Sequence, residues 1–435
     1  MQDEIQQSNI VTAIDIGTEK IKVLVGRVQR DRVELLGRGD ELTNRSAAGG
    51  LPQKNVWKGT ICNFDAVREK LRTAIHEAEE DAGVVAEDTH LCVAIGGDKL
   101  GVEFNDAEMP IAHENGIVTS EDVVAVNRAA RERFADSQLD PTMCELMTCN
   151  RYFSLEDGRF VVNATGQVSR KLRAYLQYIV CRKDYFNALR GMIREVVNAD
   201  SVDFFYYPFI PGYVARHCYP SEDGFLTIDI GAGVTSFTVN SSECYPFIGQ
   251  LPVGCIHIEN DLRLAFGIDE TMGRRILREF SQTLEGSLSH PDDQRERMVD
   301  VEKREGRGAR QVPLSSVEKV ISLRMEELFT VIKEQLESQN VLHYAGRLAL
   351  LSGGGSLIPG VEDVASRVFG HPCRRLQYNG LPIWDDTQGL LKDDARQLMV
   401  AGLFPTYVRV EREREYSRMG QSNFGRLLRT LLNMD

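Results

Sequence analysis

A short turn in the second half of the sequence combines one aspartate with two glycines, and this combination can hold phosphate and a metal ion. Asp229 follows a run of apolar and β-branched residues, precedes Gly231 and Gly233, and is followed by a second such run. Glycine has no Cβ and accepts positive φ, so backbone N–H groups in such a turn can approach an anion closely. A carboxylate at the strand end can hold Mg²⁺ through water. Residues 224–240 therefore predict a β-hairpin that grips phosphate.

A second copy of this pattern lies near the start of the chain. Residues 11–14, Val-Thr-Ala-Ile, lead into Asp15, Gly17 and Thr18, and a strand is expected at residues 21–25. Turns of this kind are common in sheets, but two of them with the same flanking strands indicate an internal duplication. The two turns could clamp the phosphates of one nucleotide from opposite sides, with both aspartates facing the same Mg²⁺.

A third glycine motif lies late in the chain. Gly353, Gly354 and Gly355 follow the apolar residues 348–351 and precede a predicted helix. A backbone without side chains can lie flat against adenosine, which would complete a nucleotide site. An ordinary strand-to-helix turn has the same residues, and the motif alone does not separate the two interpretations.

Length and composition limit the class of protein. A chain of 435 residues is too long for one ordinary core, so two lobes are expected. The net charge of −13 and the lack of a basic arm argue against nucleic-acid binding. Nine cysteines without a C-x-x-C pair predict a reducing cytosol and no disulfides. The polar, acidic N-terminus and the lack of 18 consecutive apolar residues predict neither a signal peptide nor a membrane span.

Apolar residues at i, i+3 and i+4 predict the main helices. These are expected at residues 64–82, 123–134, 185–197, 256–266, 269–280, 317–336, 361–369 and 395–404. Thr119 is the expected N-cap of the second helix. Residues 91–165 differ from their surroundings in residue pattern, which predicts a separate inserted unit. Residues 281–311 are charged and low in apolar side chains, which predicts a mobile loop.

In this order and spacing the three motifs resemble the actin-type ATPase fold, an α/β fold with two lobes built on duplicated mixed sheets. The chain is similar to the FtsA family of actin-like bacterial cell division proteins over essentially its whole length. The resemblance is carried by the segments IVTAIDIGTEKIKVLVG, WKGTICNFDAVREKLRTAIHEAE, AIGGDKL, IVTSEDVVAVNRAAR, LTIDIGAGVTSFTV, LPVGCIHIENDLRLAFG and LALLSGGGSLIPGVEDVASRVF.

The resemblance implies a division into subdomains. Residues 1–90 and 166–211 would form the core of the first lobe (1A), and residues 91–165 the family's inserted subdomain, called 1C. Residues 212–258 and 345–404 would form the core of the second lobe (2A), with residues 259–344 as its subdomain 2B. Residues 405–435 would be a flexible linker and a terminal amphipathic helix.

The resemblance also implies ATP and Mg²⁺ as cofactors and assigns the residues that hold them. The implied ATP contacts are Asp15, Gly17, Thr18, Asp229, Gly231, Gly233, Thr235, Gly353, Gly354 and Gly355. Asp15 and Asp229 would bind Mg²⁺ through water. In this family the C-terminal peptide of FtsZ docks on the helix that corresponds to residues 317–336. Arg324 and Glu327 fall where the family commonly has an arginine and a nearby acidic residue.

Several residues depart from the family pattern. Ala232, Val234 and Ser236 replace a glycine, a threonine and an aspartate of the second turn. Relatives that hydrolyse ATP place Gln or Glu before a proline to orient water, but the matching position here is Tyr207. A phenol is not a carboxylate base near pH 7. These departures favour nucleotide binding with at most slow ATPase activity.

A lysine common in the family is also missing near position 277, where Leu277 stands. Arg275 or Arg278 is the candidate substitute on that helix. The contacts that it would make lie on the adenine side of the nucleotide, and the sequence leaves them open.

The end of the chain has a continuous apolar stripe. It consists of Phe424, Leu427, Leu428, Leu431 and Leu432, which recur at i, i+3, i+4, i+7 and i+8. Arg426, Arg429 and Thr430 take the other side. So short a helix is marginal in water and needs a surface, so we expect it to bind anionic lipid. Docking on the protein's own body is the alternative, and the charged residues 410–418 before it favour a tether.

The implied function is that of an ATP-binding, self-polymerising adaptor. It would anchor FtsZ filaments to the inner face of the cytoplasmic membrane at the division site, as a peripheral protein, and help recruit other divisome proteins. A PilM-type adaptor of the type IV pilus machine is the alternative, although such proteins normally lack a terminal amphipathic helix. A sugar or acetate kinase on the same fold would require a catalytic carboxylate and no lipid-binding tail.

Overall fold

The computed structural model describes residues 10–29, 32–44, 54–136, 140–161, 163–199, 202–241, 247–283, 298–302, 309–377, 384–385, 389–391 and 400–404. The predicted linker and amphipathic helix (residues 405–435) and residues 395–399 of the predicted helix 395–404 lie outside these ranges.

The strands of the described chain are β1 (Ile10–Ile16), β2 (Lys20–Val28), β3 (Val33–Leu42), β4 (Val56–Trp57), β5 (Thr60–Ile61), β6 (His90–Ile95), β7 (Leu100–Pro110), β8 (Met143–Leu155), β9 (Phe160–Val161), β10 (Lys171–Arg182), β11 (Val202–Tyr206), β12 (Gly224–Ile230), β13 (Thr235–Ser241), β14 (Phe247–Leu251), β15 (Met298–Glu302), β16 (Ala309–Pro313), β17 (Ala349–Ser352), β18 (Cys373–Arg375) and β19 (Trp384–Asp385). The α-helices there are α1 (Phe64–Ala82), α2 (Ser120–Asp136), α3 (Lys183–Val197), α4 (Ile210–Cys218), α5 (Cys255–Phe266), α6 (Glu270–Thr283), α7 (Leu314–Ser338) and α8 (Val361–Phe369).

The first lobe is built on a six-stranded mixed sheet in the order β11-β6-β1-β2-β3-β19. Strands β1, β2 and β3 form an antiparallel meander, and β6 and β11 extend it in parallel on the other side of β1. All seven residues of β1 are buried, because helices α1 and α3 cover one face of the sheet and α4 packs on the other. This burial explains why β1 is mostly apolar on both faces rather than alternating between apolar and polar residues.

The second lobe repeats this plan. Its sheet has the order β14-β13-β12-β17-β18, with an antiparallel meander of β12, β13 and β14 and two parallel strands beyond β12. Helices α5 to α8 pack with this sheet in one large apolar cluster. The internal duplication predicted from the two Asp-Gly turns is therefore present in the strand order, and both turns are the β-hairpin ends that the sequence predicts.

A third sheet, in the order β7-β10-β8-β9, forms the predicted insert, with α2 packed on one face. Its limits differ from the predicted 91–165. Residues 91–95 belong to β6, which pairs in parallel with β1 inside the first lobe. Strand β10, assigned from sequence to the first-lobe core, is instead the central partner of β7 and β8 in the insert. Apolar runs alone could not tell which sheet each strand joins.

Local signals set the helix limits. Helix α1 has the predicted limits because Asn63 caps its first turn, accepting from Ala66 N, and Gly83 ends it at φ 67°. Helix α2 starts earlier than predicted, but Thr119 does cap it: Asp122 N donates to Thr119 Oγ1, and Thr119 N donates to Asp122 Oδ2.

The prediction of a loop over residues 281–311 is wrong where the structure describes this segment. Helix α6 extends to Thr283, and β15 and β16 form an antiparallel pair. Val301 and Val312 of this pair are buried in the second-lobe core. None of the described helices combines the length and the apolar character that crossing a bilayer requires.

Candidate functional site

The first turn, between β1 and β2, is held from behind by the loop that follows β3. Gly17 N donates to Lys20 O at 3.0 Å, which closes the turn. Thr43 Oγ1 donates to Gly17 O at 2.8 Å, and Asn44 Nδ2 donates to Thr18 O at 2.8 Å. Because these carbonyls are occupied from behind, the turn has a fixed position at the edge of the first lobe.

The second turn, between β12 and β13, is fixed by the start of a helix. Gly231 N donates to Val234 O at 2.9 Å. The first N–H groups of α5 donate to the turn: Cys255 N to Gly231 O at 3.0 Å and Ile256 N to Ala232 O at 2.9 Å. The positive end of the α5 dipole therefore lies directly behind the turn, where it favours an anion.

The glycines of the second turn are needed for a different reason from the one predicted. Neither Gly231 nor Gly233 has a positive φ. A methyl group on Gly233 would instead lie 2.7 Å from Thr18 Oγ1 of the first turn and 3.2 Å from Lys58 Cα. Close approach of the two lobes, and not backbone conformation, excludes a side chain at this position.

The two turns face each other across a narrow gap between the lobes. Gly59 N donates to Thr18 Oγ1 at 3.1 Å, and the preceding residue, Lys58, has φ 50°. A methyl group on Gly59 would contact the Val234 side chain at 3.3 Å. The structure therefore brings together the two predicted phosphate turns and adds the loop of Lys58 and Gly59 between them. Glycine, threonine and lysine, the residue types that meet here, are types that bind phosphate in proteins.

Asp229 accepts hydrogen bonds at both carboxylate oxygens. Tyr207 Oη donates to Oδ1 at 3.0 Å, and Ser352 Oγ donates to Oδ2 at 2.8 Å. Asp229 is 2% exposed. Tyr207 was predicted at the position of a water-orienting residue, and it lies next to Asp229, the aspartate predicted to bind metal through water. Its hydroxyl proton is directed to that carboxylate rather than to a substrate.

Asp15 lies opposite a lysine that sequence reasoning missed. In the β1–β2 ladder Asp15 pairs with Lys22, and both residues are buried. Directly opposed residues share one face of the sheet, so a positive charge stands beside the predicted metal-linked carboxylate. The signal was available, because Lys22 interrupts the apolar strand between Ile21 and Val23.

Protein side chains alone would not complete the coordination of Mg²⁺ at this site. Across the described ranges no cluster of three or more His, Cys, Asp or Glu residues is placed to hold a metal ion. Two aspartates acting through water fit Mg²⁺, which usually keeps several waters and takes phosphate oxygens as ligands.

The third glycine motif lies against the end of β12. Gly353 has φ 75°, and a methyl group there would lie 2.6 Å from Ile230 O. One on Gly355 would lie 2.3 Å from Ile230 Cγ2, whereas nothing lies within 4 Å of one on Gly354. The first and third glycines are therefore required by packing next to Asp229. Only Gly354 faces open space, where a flat ligand could lie.

Thr235, also predicted as a cofactor contact, is buried and donates its hydroxyl proton to Val253 O at 2.8 Å. Ser236, which replaces an aspartate of the family pattern, lies opposite Asp229 in the β12–β13 ladder. The lost carboxylate would have stood beside Asp229, and its absence lowers the negative charge at the site.

The arginines of α6 are largely engaged with carboxylates of the second lobe. Arg274 Nε lies 3.1 Å from Glu259 Oε2, with both side chains nearly buried. Arg275 Nε lies 3.1 Å from Glu279 Oε1 one turn along the helix. Of the two candidate substitutes for the missing family lysine, Arg275 is thus held in an ion pair and Arg278 is exposed.

The charge of Lys58 acts on His257, across the gap between the lobes. This lysine was not singled out from the sequence. The pKa of His257, on α5, lies below its ordinary value because burial disfavours the cation, and the charges of Lys58 and Arg324 add to this effect. Gly254 N donates to His257 Nδ1 at 3.1 Å, which requires that nitrogen to be unprotonated. A lysine beside a glycine in a loop was a weak signal until the structure placed it beside the second turn.

Arg324, the predicted FtsZ contact, is bound within its own lobe. Its Nε lies 2.6 Å from Asp261 Oδ2 and its Nη2 lies 2.9 Å from Asp261 Oδ1, while Nη1 lies 2.6 Å from Glu327 Oε2. These carboxylates raise the pKa of the guanidinium. Exposed Leu264 and Leu323, at 65% and 55%, lie on the same two helices close to this pair. This surface therefore combines the ion pairs of Arg324 with two exposed leucine side chains.

Comparison with protein families gives a match to one family model, Cell division protein FtsA, over residues 226–396. Cell division protein FtsA of Escherichia coli strain K12 is 24% identical over 373 residues, covering 83% of this chain and 82% of that protein. Cell division protein FtsA of Streptococcus pneumoniae is 23% identical over 361 residues, covering 82% of this chain and 73% of the relative.

Solved structures show the fold. The PilM–PilN type IV pilus biogenesis complex is similar with a TM-score of 0.62 and 13% identity, over 92% of this chain and 98% of that one. MreB5 of Spiroplasma citri bound to ADP is similar with a TM-score of 0.54 and 12% identity, over 94% and 99%. The chain has the actin-like ATPase fold that its motifs predict, and the comparisons confirm its resemblance to the FtsA family of cell division proteins.

Proposed function

We propose that the protein binds ATP with Mg²⁺ between its lobes and acts as a cell division adaptor that anchors FtsZ filaments to the membrane. The observation that carries the nucleotide site is the gap in which Thr18 of the first turn meets Gly233 of the second. The fold of MreB5, solved with ADP and with AMPPNP, supports a nucleotide in this place. Bound Mg²⁺ would supply charge neutralisation for the phosphates.

Within this site each group has a separate role. The backbone N–H groups of the two turns and the cations of Lys22 and Lys58 would hold phosphate oxygens. Asp15 and Asp229 would orient the waters on Mg²⁺, and Gly354 would leave room for adenosine. Tyr207, at the position where hydrolysing relatives have Gln or Glu, donates its hydroxyl proton to Asp229 and is not a carboxylate, so we expect slow turnover at most.

A calorimetric titration with Mg·ATP tests the site. Asp229→Ala should weaken ATP binding by at least about tenfold, because it removes a buried carboxylate beside the proposed metal. The control is Asp157→Ala, since Asp157 is an exposed residue of the insert paired with Arg159. Equal affinities of the two variants would contradict the assignment.

We place the FtsZ peptide on the surface around Arg324 and Glu327. An acidic peptide would share the guanidinium with Asp261, and Leu264 and Leu323 would cover its apolar side chains. Arg324 is partly exposed, as a contact residue must be, since its side chain keeps 28% of its accessible surface.

The membrane contact is proposed for the tail outside the described residues. Burying its five large apolar side chains gives roughly 1.5–3 kcal/mol each before the costs of folding and immobilisation. One tail would bind weakly, and Arg426 and Arg429 would add attraction to anionic lipid. Self-polymerisation would place many tails on one surface, and avidity would make the attachment firm. The protein would then act at the cytoplasmic face of the membrane, at the division site, and help recruit other divisome proteins.

A PilM-type adaptor remains the second candidate, because the PilM–PilN complex shares the fold. The apolar stripe of the tail favours the cell division adaptor, since the pilus adaptor normally lacks such a helix. Binding of anionic vesicles by the full chain, lost on removal of residues 423–435, would separate the two.

A further inference from the structure

A groove in the second lobe lies apart from the Arg324 surface. Helices α6, α7 and α8 and the turn before α8 enclose a cavity of about 230 Å³. Its apolar lining consists of Phe280, Ile321, Met325, Ile358, Val361 and Val364. The α7 residues of the groove lie about 140° around the helix from Arg324 and Glu327, at 100° per residue. This groove is therefore a separate surface from the proposed FtsZ contact.

The rim of the groove is charged and incompletely paired. Glu318 and Asp363 line it, and within the described chain neither carboxylate makes an ion pair or a hydrogen bond. Burial raises the pKa of Glu318. Arg367 is the basic residue of the same rim. Two carboxylates and one guanidinium leave the rim with net negative charge, which favours an occupant with basic residues.

The cavity is small for a free ligand. Pockets that bury drug-sized molecules hold roughly 300–1,000 Å³, whereas this one holds about 230 Å³ and is open at one side. An apolar floor of this size, with charges only at its rim, fits large side chains from one face of an amphipathic segment.

The chain itself carries such a segment. Residues 423–434 present Phe424 and four leucines on one predicted face, with Arg426 and Arg429 on the other side. The described residues end at Phe404, which is buried, and 18 residues (405–422) separate it from Asn423. Fully extended, 18 residues span roughly 60 Å. A compact chain of 435 residues has a radius of gyration of roughly 22 Å, so the segment can reach the groove.

We propose that this groove is the docking site of the chain's own residues 423–434, with Leu428 and its neighbours on the apolar floor and the long side chains of the two arginines, which start on the other side of the helix, extended back toward Glu318 and Asp363. A tail seated there cannot bury the same leucines in lipid. Docking therefore competes with membrane attachment and keeps the unassembled protein off the membrane. The competition between docking and lipid binding rests on the proposed membrane function, but the docking itself does not.

Photo-cross-linking in the full-length chain tests the docking. With benzoylphenylalanine in place of Leu428, irradiation without lipid should give a monomeric product cross-linked to α7 or α8 at the groove. The matched control carries the probe in place of Thr430, on the other predicted face, and should cross-link far less. Cross-links elsewhere on the body, or products that are only dimers of the chain, would overturn the proposal.

Charge reversal at the rim of the groove is a second test of the docking. Glu318→Arg with Asp363→Arg should abolish the cross-link and raise binding to phosphatidylglycerol vesicles by about 3- to 10-fold at sub-saturating lipid. Glu334→Arg with Glu337→Arg makes the same change in charge at exposed sites of α7 outside the groove. It should leave the cross-link in place and raise vesicle binding less. A cross-link that survives the rim reversal would contradict the assignment.

The two proposals fail in different ways. If the Leu428 probe cross-links to the groove but the full chain and the rim variant both fail to bind vesicles, then the docking site stands and the membrane function is wrong. If vesicles bind the full chain strongly and no cross-link forms in their absence, then the membrane function stands and the docking site is wrong.

Discussion

Tyr207 donates a hydrogen bond from its hydroxyl to Asp229 Oδ1 over 3.0 Å, which joins the end of the first lobe's last parallel strand to the carboxylate of the second turn. Asp229 is buried and accepts from Ser352 at its other oxygen. Replacing Tyr207 by Phe leaves one buried carboxylate oxygen without this donor, which costs about 1–3 kcal/mol.

We therefore expect Tyr207→Phe to lower the free energy of unfolding by that amount in chemical denaturation, and to leave any slow ATP turnover unchanged. Tyr219→Phe is the control, because the hydroxyl of Tyr219 makes no hydrogen bond within the described residues and the variant should unfold like the parent. A large fall in turnover in Tyr207→Phe would show that the phenol takes part in hydrolysis.

Gly233→Ala should weaken nucleotide binding without unfolding the protein. Its methyl group would meet Thr18 Oγ1 at 2.7 Å and push the two turns apart. Overpacking of this kind costs about 1–3 kcal/mol, or roughly 5- to 150-fold in affinity. Gly191→Ala on α3 is the matched control, since nothing lies within 4 Å of its added methyl. Calorimetric titration should separate the two, and equal ATP affinities would show that the gap does not hold the phosphates.

Arg324 and Asp261 should have opposite effects on FtsZ binding. Arg324→Glu reverses the charge that an acidic peptide would meet and should lower its affinity in fluorescence anisotropy. Asp261→Asn removes the internal competitor that now holds the guanidinium at 2.6 Å and should raise the affinity. If both variants bind the peptide like the parent, its site lies elsewhere on the protein.

The tail should lose membrane binding through its apolar face. Leu428→Glu with Leu431→Glu puts two carboxylates on the predicted stripe, and co-sedimentation with anionic vesicles should fall to background. Thr430→Glu with Asn433→Glu adds the same charge on the other face and should reduce binding only partly. ATP titration of both variants should match the parent. Undiminished sedimentation of the leucine variant would place any lipid contact in the body.

Much of the fold follows from patterns in the sequence. The apolar stripe and the capping residue Asn63 determine α1, and the two Asp-Gly turns predict the duplicated hairpins. Sheet membership could not be predicted, because strands 91–95 and β10 have similar apolar character and only pairing distinguishes their sheets. The segment containing β15 looked like a loop because just one valine of each short strand is buried in the core.

The candidate site was predictable only in part. Asp229 and the glycine motifs could be named as candidates from sequence because they are recognised by residue type. Lys22 and Lys58 were missed because their importance depends on which residue the fold places opposite them. The role of Gly233 was misjudged, since a contact between lobes leaves no trace in the local sequence.

One continuous segment of nine residues, 353–361, borders both the proposed adenosine position and the groove. It begins at Gly353, which is packed on Ile230, passes through Ile358 and enters α8 at Val361. Two ligands that bias the position of one segment are thermodynamically coupled, and the coupling must be reciprocal. If bound nucleotide changes the affinity of the groove for its occupant by some factor, the occupant changes the affinity for nucleotide by the same factor. Nucleotide binding in the cleft and occupancy of the second-lobe groove would then be linked through this one segment.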